Sequence, residues 1–310
     1  MSTRGAAAVT RRTLGGIAYE ERGSGPAFIA IHGYSLDRRM AIGAFEPLFE
    51  EAGPGGGRGP GGGGPAGARR PYRRIYPDLP FMGESTDEPG GEGHDGILDA
   101  MRDFIAEAAP SGPLLVAGES YGGYLARGLA RALGERVRGL FLLCPSIVAR
   151  AAGRDVDPPS VAREEPGWRE AARARGASEA DIRDYEHHAV DRSLANFERT
   201  RAEVLSGIRA YRHVAAARHY AGREAFSFDR LGAAGSGGEA FDRRFEGPAC
   251  FFLGRQDRST GWRDALRLAD RYPRASYFIA DGAGHNAQIE RPREFAAAFR
   301  SWLEACEASP

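Results

Sequence analysis

Short apolar runs alternate with amphipathic stretches along most of the chain. Phe28-Ile29-Ala30-Ile31, Pro113-Leu114-Leu115-Val116-Ala117, Ala249-Cys250-Phe251-Phe252-Leu253 and Ala275-Ser276-Tyr277-Phe278-Ile279-Ala280 are short runs of the length and composition of buried strands. Arg73 to Tyr76 and Val137 to Cys144 read the same way, and Thr13 to Glu21 reads as one further strand. Between them, Ile97 to Ala108 repeats apolar residues at Ile97, Met101, Phe104 and Ile105, one face of a helix. Ala44 to Glu51 and Tyr124 to Leu133 are further helical segments. This alternation predicts an α/β protein with a mostly parallel, doubly wound sheet.

Two stretches break the alternation. Gly53 to Ala68 is rich in Gly and Pro and has too few apolar groups to offset its chain entropy, so a flexible surface loop is expected there. From Ser146 to Phe245 strands vanish and helical periodicity takes over, at Ile182, Tyr185, Val190, Leu194 and Phe197 and again at Val204, Leu205, Ile208, Tyr211 and Val214. Ser178-Glu179-Ala180-Asp181 resembles a capping box at a helix start. The expected organisation is a core in two parts, residues 1–145 and 246–310, with a helical lid at 146–245 over the C-terminal edge of the sheet.

Candidate chemistry lies at the ends of the predicted strands. Gly118-Glu119-Ser120-Tyr121-Gly122 follows one of them directly and precedes a helix, an arrangement in which Ser120 sits exposed on a sharp strand-to-helix turn. A serine hydroxyl needs a base, and the base needs a third group to fix its tautomer. Gly254-Arg255-Gln256-Asp257 leaves a carboxylate after a strand, and Asp281-Gly282-Ala283-Gly284-His285 leaves an imidazole after the next. Ser120, Asp257 and His285 therefore form a candidate triad, in the chain order expected for this elbow. His32-Gly33-Tyr34 ends an early strand, and the backbone N–H groups of Tyr34 and Tyr121 are the candidate oxyanion hole.

With these segments in place, the chain resembles the α/β-hydrolase fold enzymes. The likeness rests on His32-Gly33, Asp78-Leu79-Pro80-Phe81-Met82-Gly83-Glu84-Ser85, the elbow, Gly254-Arg255-Gln256-Asp257 and Gly284-His285, and covers both flanks of the chain but not its middle. Phe81 departs from it, since relatives generally carry glycine there; a phenylalanine is expected to narrow one wall of the pocket. The resemblance implies hydrolysis of a small-molecule carboxylic ester through an acyl-enzyme. A proline-iminopeptidase-like aminopeptidase or a carbon–carbon bond hydrolase is the alternative within the fold, and a non-catalytic ligand receptor the alternative outside enzymes.

Composition narrows the picture further. The 310 residues carry 42 basic and 42 acidic side chains, so the sequence-independent attraction of nucleic acid or an anionic membrane is missing, and a small-molecule substrate is the expected partner. No lysine occurs, so arginine supplies every such basic group. Cys144, Cys250 and Cys306 are odd in number and without metal-type spacing, and no signal-like apolar segment is found, which makes a cytoplasmic enzyme without metal or cofactor the expectation. His187, His188, His213 and His219 crowd the lid but match no strong ligand motif.

Around the candidate triad, Gly33, Glu119, Phe81, Trp262 and Arg38 are the possible pocket residues. Glu119 could tune the nucleophile, though a solvated or locally paired carboxylate is the more ordinary role. Arg38 and Arg39 could clamp a substrate carboxylate, with a surface position the simpler reading. Trp262 could line the pocket or merely pack. His32 is expected to make a structural loop contact.

Overall fold

The computed structural model describes residues 9–50, 71–85, 93–148, 151–158, 160–210 and 244–309. Ten strands occur among them in chain order: β1 Val9–Leu14, β2 Ile17–Arg22, β3 Ala27–Ile31, β4 Arg73–Pro77, β5 Leu114–Glu119, β6 Val137–Leu143, β7 Arg163–Glu164, β8 Asp191–Arg192, β9 Ala249–Gly254 and β10 Ala275–Ala280. Eight form one sheet in the order β1-β2-β4-β3-β5-β6-β9-β10, and every pairing from β4 to β10 is parallel. The mostly parallel α/β sheet expected from the sequence is therefore present.

The stretch from Thr13 to Glu21 is not one strand but most of a hairpin. Gly15 and Gly16 hold φ of 53° and 76°, and the chain reverses there so that Leu14 pairs with Ile17 in an antiparallel ladder. Two adjacent residues able to adopt positive φ are what a tight hairpin turn requires.

Both faces of the sheet are covered, which is why its central strands read as continuous apolar runs rather than alternating ones. Alternate residues divide between two buried clusters: Ile29, Leu140, Leu142, Phe251 and Leu253 face one way, and Phe28, Phe141, Leu143 and Phe252 the other. The first face is closed by helices α2 (Gly93–Ala108) and α3 (Tyr121–Leu133), through Ile97, Met101, Phe104, Leu125 and Leu129. The second is closed by α1 (Arg38–Glu50) and the helix Pro292–Glu307, where Phe45, Phe295, Phe299 and Trp302 pack around Phe28 and Phe141.

Between β6 and β9 the described residues form four α-helices, α4 (Trp168–Ala174), α5 (Glu179–His188), α6 (Leu194–Thr200) and α7 (Ser206–Ala210), with a π-helical turn at Arg201–Leu205. Their third, smaller cluster is built from Trp168, Ala172, Ile182, Tyr185, Ala189 and Phe197. Ser178 caps α5 as the sequence suggested: its side chain accepts from Asp181 N–H while the Asp181 carboxylate accepts from Ser178 N–H. Strands do not vanish from this stretch, however, because β7 and β8 pair in parallel within it. The glycine-rich tract at 53–68, Tyr211, Val214, His213 and His219 lie outside the described residues.

Candidate active site

Strand β5 delivers Ser120 at the start of α3. Its backbone lies at φ 54° and ψ −116°, a region that costs a non-glycine residue on the order of 1–3 kcal/mol and persists only where the surroundings enforce it. Three hydrogen bonds do so: Ser120 N–H to Leu143 O at 3.0 Å, and Ser120 O from Tyr124 N–H at 3.2 Å and Ser146 N–H at 2.9 Å. The flanking glycines are set by close approach. A Cβ at Gly118 would strike the Gly122 carbonyl, and one at Gly122 would strike the carbonyls of Ile31 and His32.

Asp257 and His285 come from the loops after β9 and β10, adjacent strands of the same sheet. His285 Nε2 lies 3.0 Å from Ser120 Oγ and its Nδ1 lies 2.9 Å from Asp257 Oδ2. With the carboxylate accepting, Nδ1 carries a proton and Nε2 is left to accept from the serine hydroxyl. Asp257 is fully engaged, since Oδ1 accepts from the N–H groups of Ser259 and Thr260 at 2.7 and 3.2 Å and Oδ2 accepts also from Thr260 Oγ1 at 2.7 Å. Burial works against its charge, but His285 and these donors prevail and hold the carboxyl below its usual range. Burial likewise depresses His285, yet Asp257 and Glu119 outweigh it and push the imidazole up to about 9.

Of the roles open to Glu119 in the sequence, a solvated side chain is the one the structure does not show. Glu119 is buried, with Oε1 at 3.3 Å from His285 Nε2 and Oε2 without a hydrogen bond. Burial pushes it up to about 7, with Asp257 adding to the rise and His285 and a hydrogen bond from the Gly33 backbone N–H pulling the other way. Gly33 leaves room for it, because a Cβ there would collide with Oε2. Tyr34 and Tyr121 stand beside each other with their rings edge to face at 6.1 Å, and the Tyr121 hydroxyl lies 2.8 Å from His94 Nδ1 on α2.

The other candidate residues have partners of their own. Arg38 is neither at the surface nor open to a substrate: it is buried, and Asp78 and Glu84 take its guanidinium, a pairing that ties α1 to the loop after β4. Arg39 is the exposed member of the pair and bonds Asp37. Phe81 lies in the buried cluster under α2 at φ 66°, which gives the physical reason for glycine in the family's pattern at this point. Trp262 packs between the guanidinium groups of Arg255 and Arg263 at 4.3 and 4.5 Å and donates to Asp157. His32 accepts from Leu79 N–H through Nε2 and therefore donates through Nδ1 to Gly33 O, holding the loop.

His188 and Cys144 also lie close to His285 and Asp257. His188 at the end of α5 brings its ring to 5.9 Å from that of His285 and contacts Ser259 Oγ at 3.1 Å; burial, with His285 beside it, lowers it to about 3, so it stays neutral. Cys144 Sγ lies with Asp257 and His285 in a group of ligand atoms within 4.8 Å of one another. Burial and Asp257 push its thiol well up, so it packs there as a protonated, apolar group.

A strained serine after β5, bonded to a histidine that is bonded to a buried aspartate, on a mostly parallel sheet wrapped by helices, defines a class. Residues 48–292 match the family model of the alpha/beta hydrolase fold, and the chain belongs to that family. Among solved structures it is similar to an alpha/beta superfamily hydrolase from Oenococcus oeni, at 23% identity and a TM-score of 0.78 over 96% of this chain and 100% of that one. It is similar also to a thermophilic esterase from Thermogutta terrifontis, at 23% identity and a TM-score of 0.55 over 94% and 93% of the two chains. An N-acyl homoserine lactonase shares 19% identity and a TM-score of 0.63 over 98% and 99%. No curated protein sequence matches it. Among the described residues, no helix is long and apolar enough to cross a membrane.

Proposed function

We propose that the protein is a serine hydrolase that cleaves a small-molecule carboxylic ester through an acyl-enzyme. The observation that carries this reading is the unbroken chain of contacts from Ser120 Oγ to His285 Nε2 at 3.0 Å and from His285 Nδ1 to Asp257 at 2.9 Å. Ser120 Oγ attacks the acyl carbon as its proton passes to His285 Nε2, and the same proton then leaves with the alcohol as the ester C–O bond breaks. Water repeats the sequence to release the acid. Asp257 holds the imidazole in the right tautomer and stabilises the imidazolium, while the backbone N–H groups of Tyr34 and Tyr121 receive the oxyanion. The stretch 146–245 acts as a lid and selects the substrate; His188 next to His285 supports that assignment.

The test is hydrolysis of a p-nitrophenyl ester series, acetate to octanoate, together with labelling by a fluorophosphonate, in wild type and Ser120→Ala. Turnover and labelling present in the wild type and absent from the variant are expected. A Ser120→Ala variant that keeps its rate would overturn the mechanism, and labelling without ester turnover would redirect the substrate toward amides or carbon–carbon bonds.

A further inference from the structure

We propose that Glu119 is a positioning residue that shares the Nε2 proton of His285 and so sets the pH at which Ser120 can be activated, an inference that rests on the serine-hydrolase reading above. The geometry is unusual in one respect. His285 Nε2, the nitrogen that must accept the serine proton, faces two oxygens: Ser120 Oγ at 3.0 Å and Glu119 Oε1 at 3.3 Å. On its other side Nδ1 faces Asp257 at 2.9 Å. One imidazole thus lies between two buried carboxyls, of which only Asp257 has both oxygens hydrogen-bonded.

Asp257 has four contacts to neutralise its charge. Glu119 has the backbone N–H of Gly33 and His285 as partners, while its Oε2 is buried with no hydrogen bond and the residue is 2% exposed. A buried carboxyl without a fixed cation either keeps its proton or draws one onto a neighbour. Here both routes lead to the same place. If Glu119 holds the proton, its O–H competes with the serine hydroxyl for the Nε2 lone pair; if His285 holds it, Nε2 has no lone pair to offer. A single proton on the Glu119–His285 pair therefore blocks activation wherever it resides, and its loss frees Nε2.

Once that proton has gone, the same carboxylate helps. Ser120 Oγ–H breaks as the bond from Oγ to the acyl carbon forms, Nε2 gains the proton, and the imidazolium stands between Asp257 and an ionised Glu119 until the leaving alcohol takes the proton away. Glu119 neither gains nor loses a proton over the cycle. The other groups around the pair do not replace it: Cys144 stays protonated, His188 stays neutral, and Arg154, which bonds Val148 O and Ser259 O, acts on His285 in the opposite sense. Glu119 pushed up to about 7 and His285 up to about 9 are the shifts such a pair should have.

The pH dependence of kcat/KM on a p-nitrophenyl ester in wild type, Glu119→Gln and Glu119→Asp tests the assignment. Glu119→Gln should move the acid limb down by about one pH unit or more, a tenfold change in proton affinity, and lower the alkaline plateau severalfold. Glu119→Asp should bring the limb back toward its wild-type position. An acid limb in Glu119→Gln that coincides with the wild type overturns the proposal. For variants that do not fold, the His285 ring nitrogens of the wild type are followed by NMR from pH 5 to 10, where two coupled steps are expected and one simple titration near the ordinary histidine value overturns it. Fluorophosphonate labelling of wild-type Ser120 separates the two levels: without labelling the serine reading fails and takes this one with it, whereas labelling with an unmoved limb removes the Glu119 assignment alone.

Discussion

Glu290 Oε2 accepts a 2.6 Å hydrogen bond from the backbone N–H of Gly284, the residue immediately before His285. Its other oxygen accepts from the N–H groups of Val190 and Asp191, both at 2.7 Å, so one buried carboxylate fastens the loop that carries His285 to the helical stretch beyond β6. Arg291 reinforces the tie by bonding Asp191 and the carbonyl of Asp281.

Glu290→Ala leaves three buried N–H groups without acceptors, each worth about 1–3 kcal/mol. The expected outcome is a loss of more than about 3 kcal/mol in urea unfolding, with faster amide exchange at Val190, Asp191 and Gly284 and a lower kcat from a less well placed imidazole. Unchanged exchange at those three amides would contradict the role.

Ser120→Gly separates strain from chemistry. Glycine adopts φ 54° freely, so the variant should gain up to about 1 kcal/mol of stability while losing at least about 10³-fold in kcat. The urea midpoint and the ester rate, measured on the same preparation, check both halves.

At Phe81 the same strain argument gives the opposite sign. Restoring glycine relieves a φ of 66°, worth about 1 kcal/mol, but removes a side chain only 2% exposed, whose deletion costs about 3–5 kcal/mol. Phe81→Gly should therefore destabilise, and a higher melting temperature for that variant would refute the estimate.

The shifted groups at the site also set a pH dependence of stability. Glu119 and Glu290, pushed up to about 7 from an ordinary value near 4.5, bind more protons folded than unfolded between those limits, and His285, pushed up to about 9 from 6.5, does so at higher pH. The stability these groups contribute is present below their unfolded values and is lost as pH rises through the folded ones. Asp257, held low, adds stability that is lost only in stronger acid. Melting temperature should consequently fall between about pH 5 and pH 9, with Glu119→Gln flattening the lower part of the decline; a wild type and variant with parallel curves would exclude the linkage.

How much of this was legible in the sequence depended on whether the cause was local. Strands β3, β5, β9 and β10 were read as apolar runs because burial on both faces leaves no other pattern, and the cap at Ser178 because its partner is Asp181, three residues away. Ser120, Asp257 and His285 stand out as candidates because each follows such a strand. The hairpin at Gly15-Gly16 was passed over in a polar stretch, although its turn signal is local. The roles of Arg38 and Glu119 stay open in the sequence for a different reason. A charged side chain reads as solvated unless its partners are known, and those partners, Asp78 and Glu84 in one case and His285 in the other, are distant in the chain.

The contact between Ser120 and His285 spans 165 positions of sequence and requires β10, the strand at one edge of the sheet, to be docked on β9. During synthesis the serine hydroxyl consequently has no base within reach until β10 has been made and joined to the sheet. On the proposed function, an ester assay on nascent or refolding chains would time the arrival of β10, and labelling of Ser120 would count molecules in which β10 has docked.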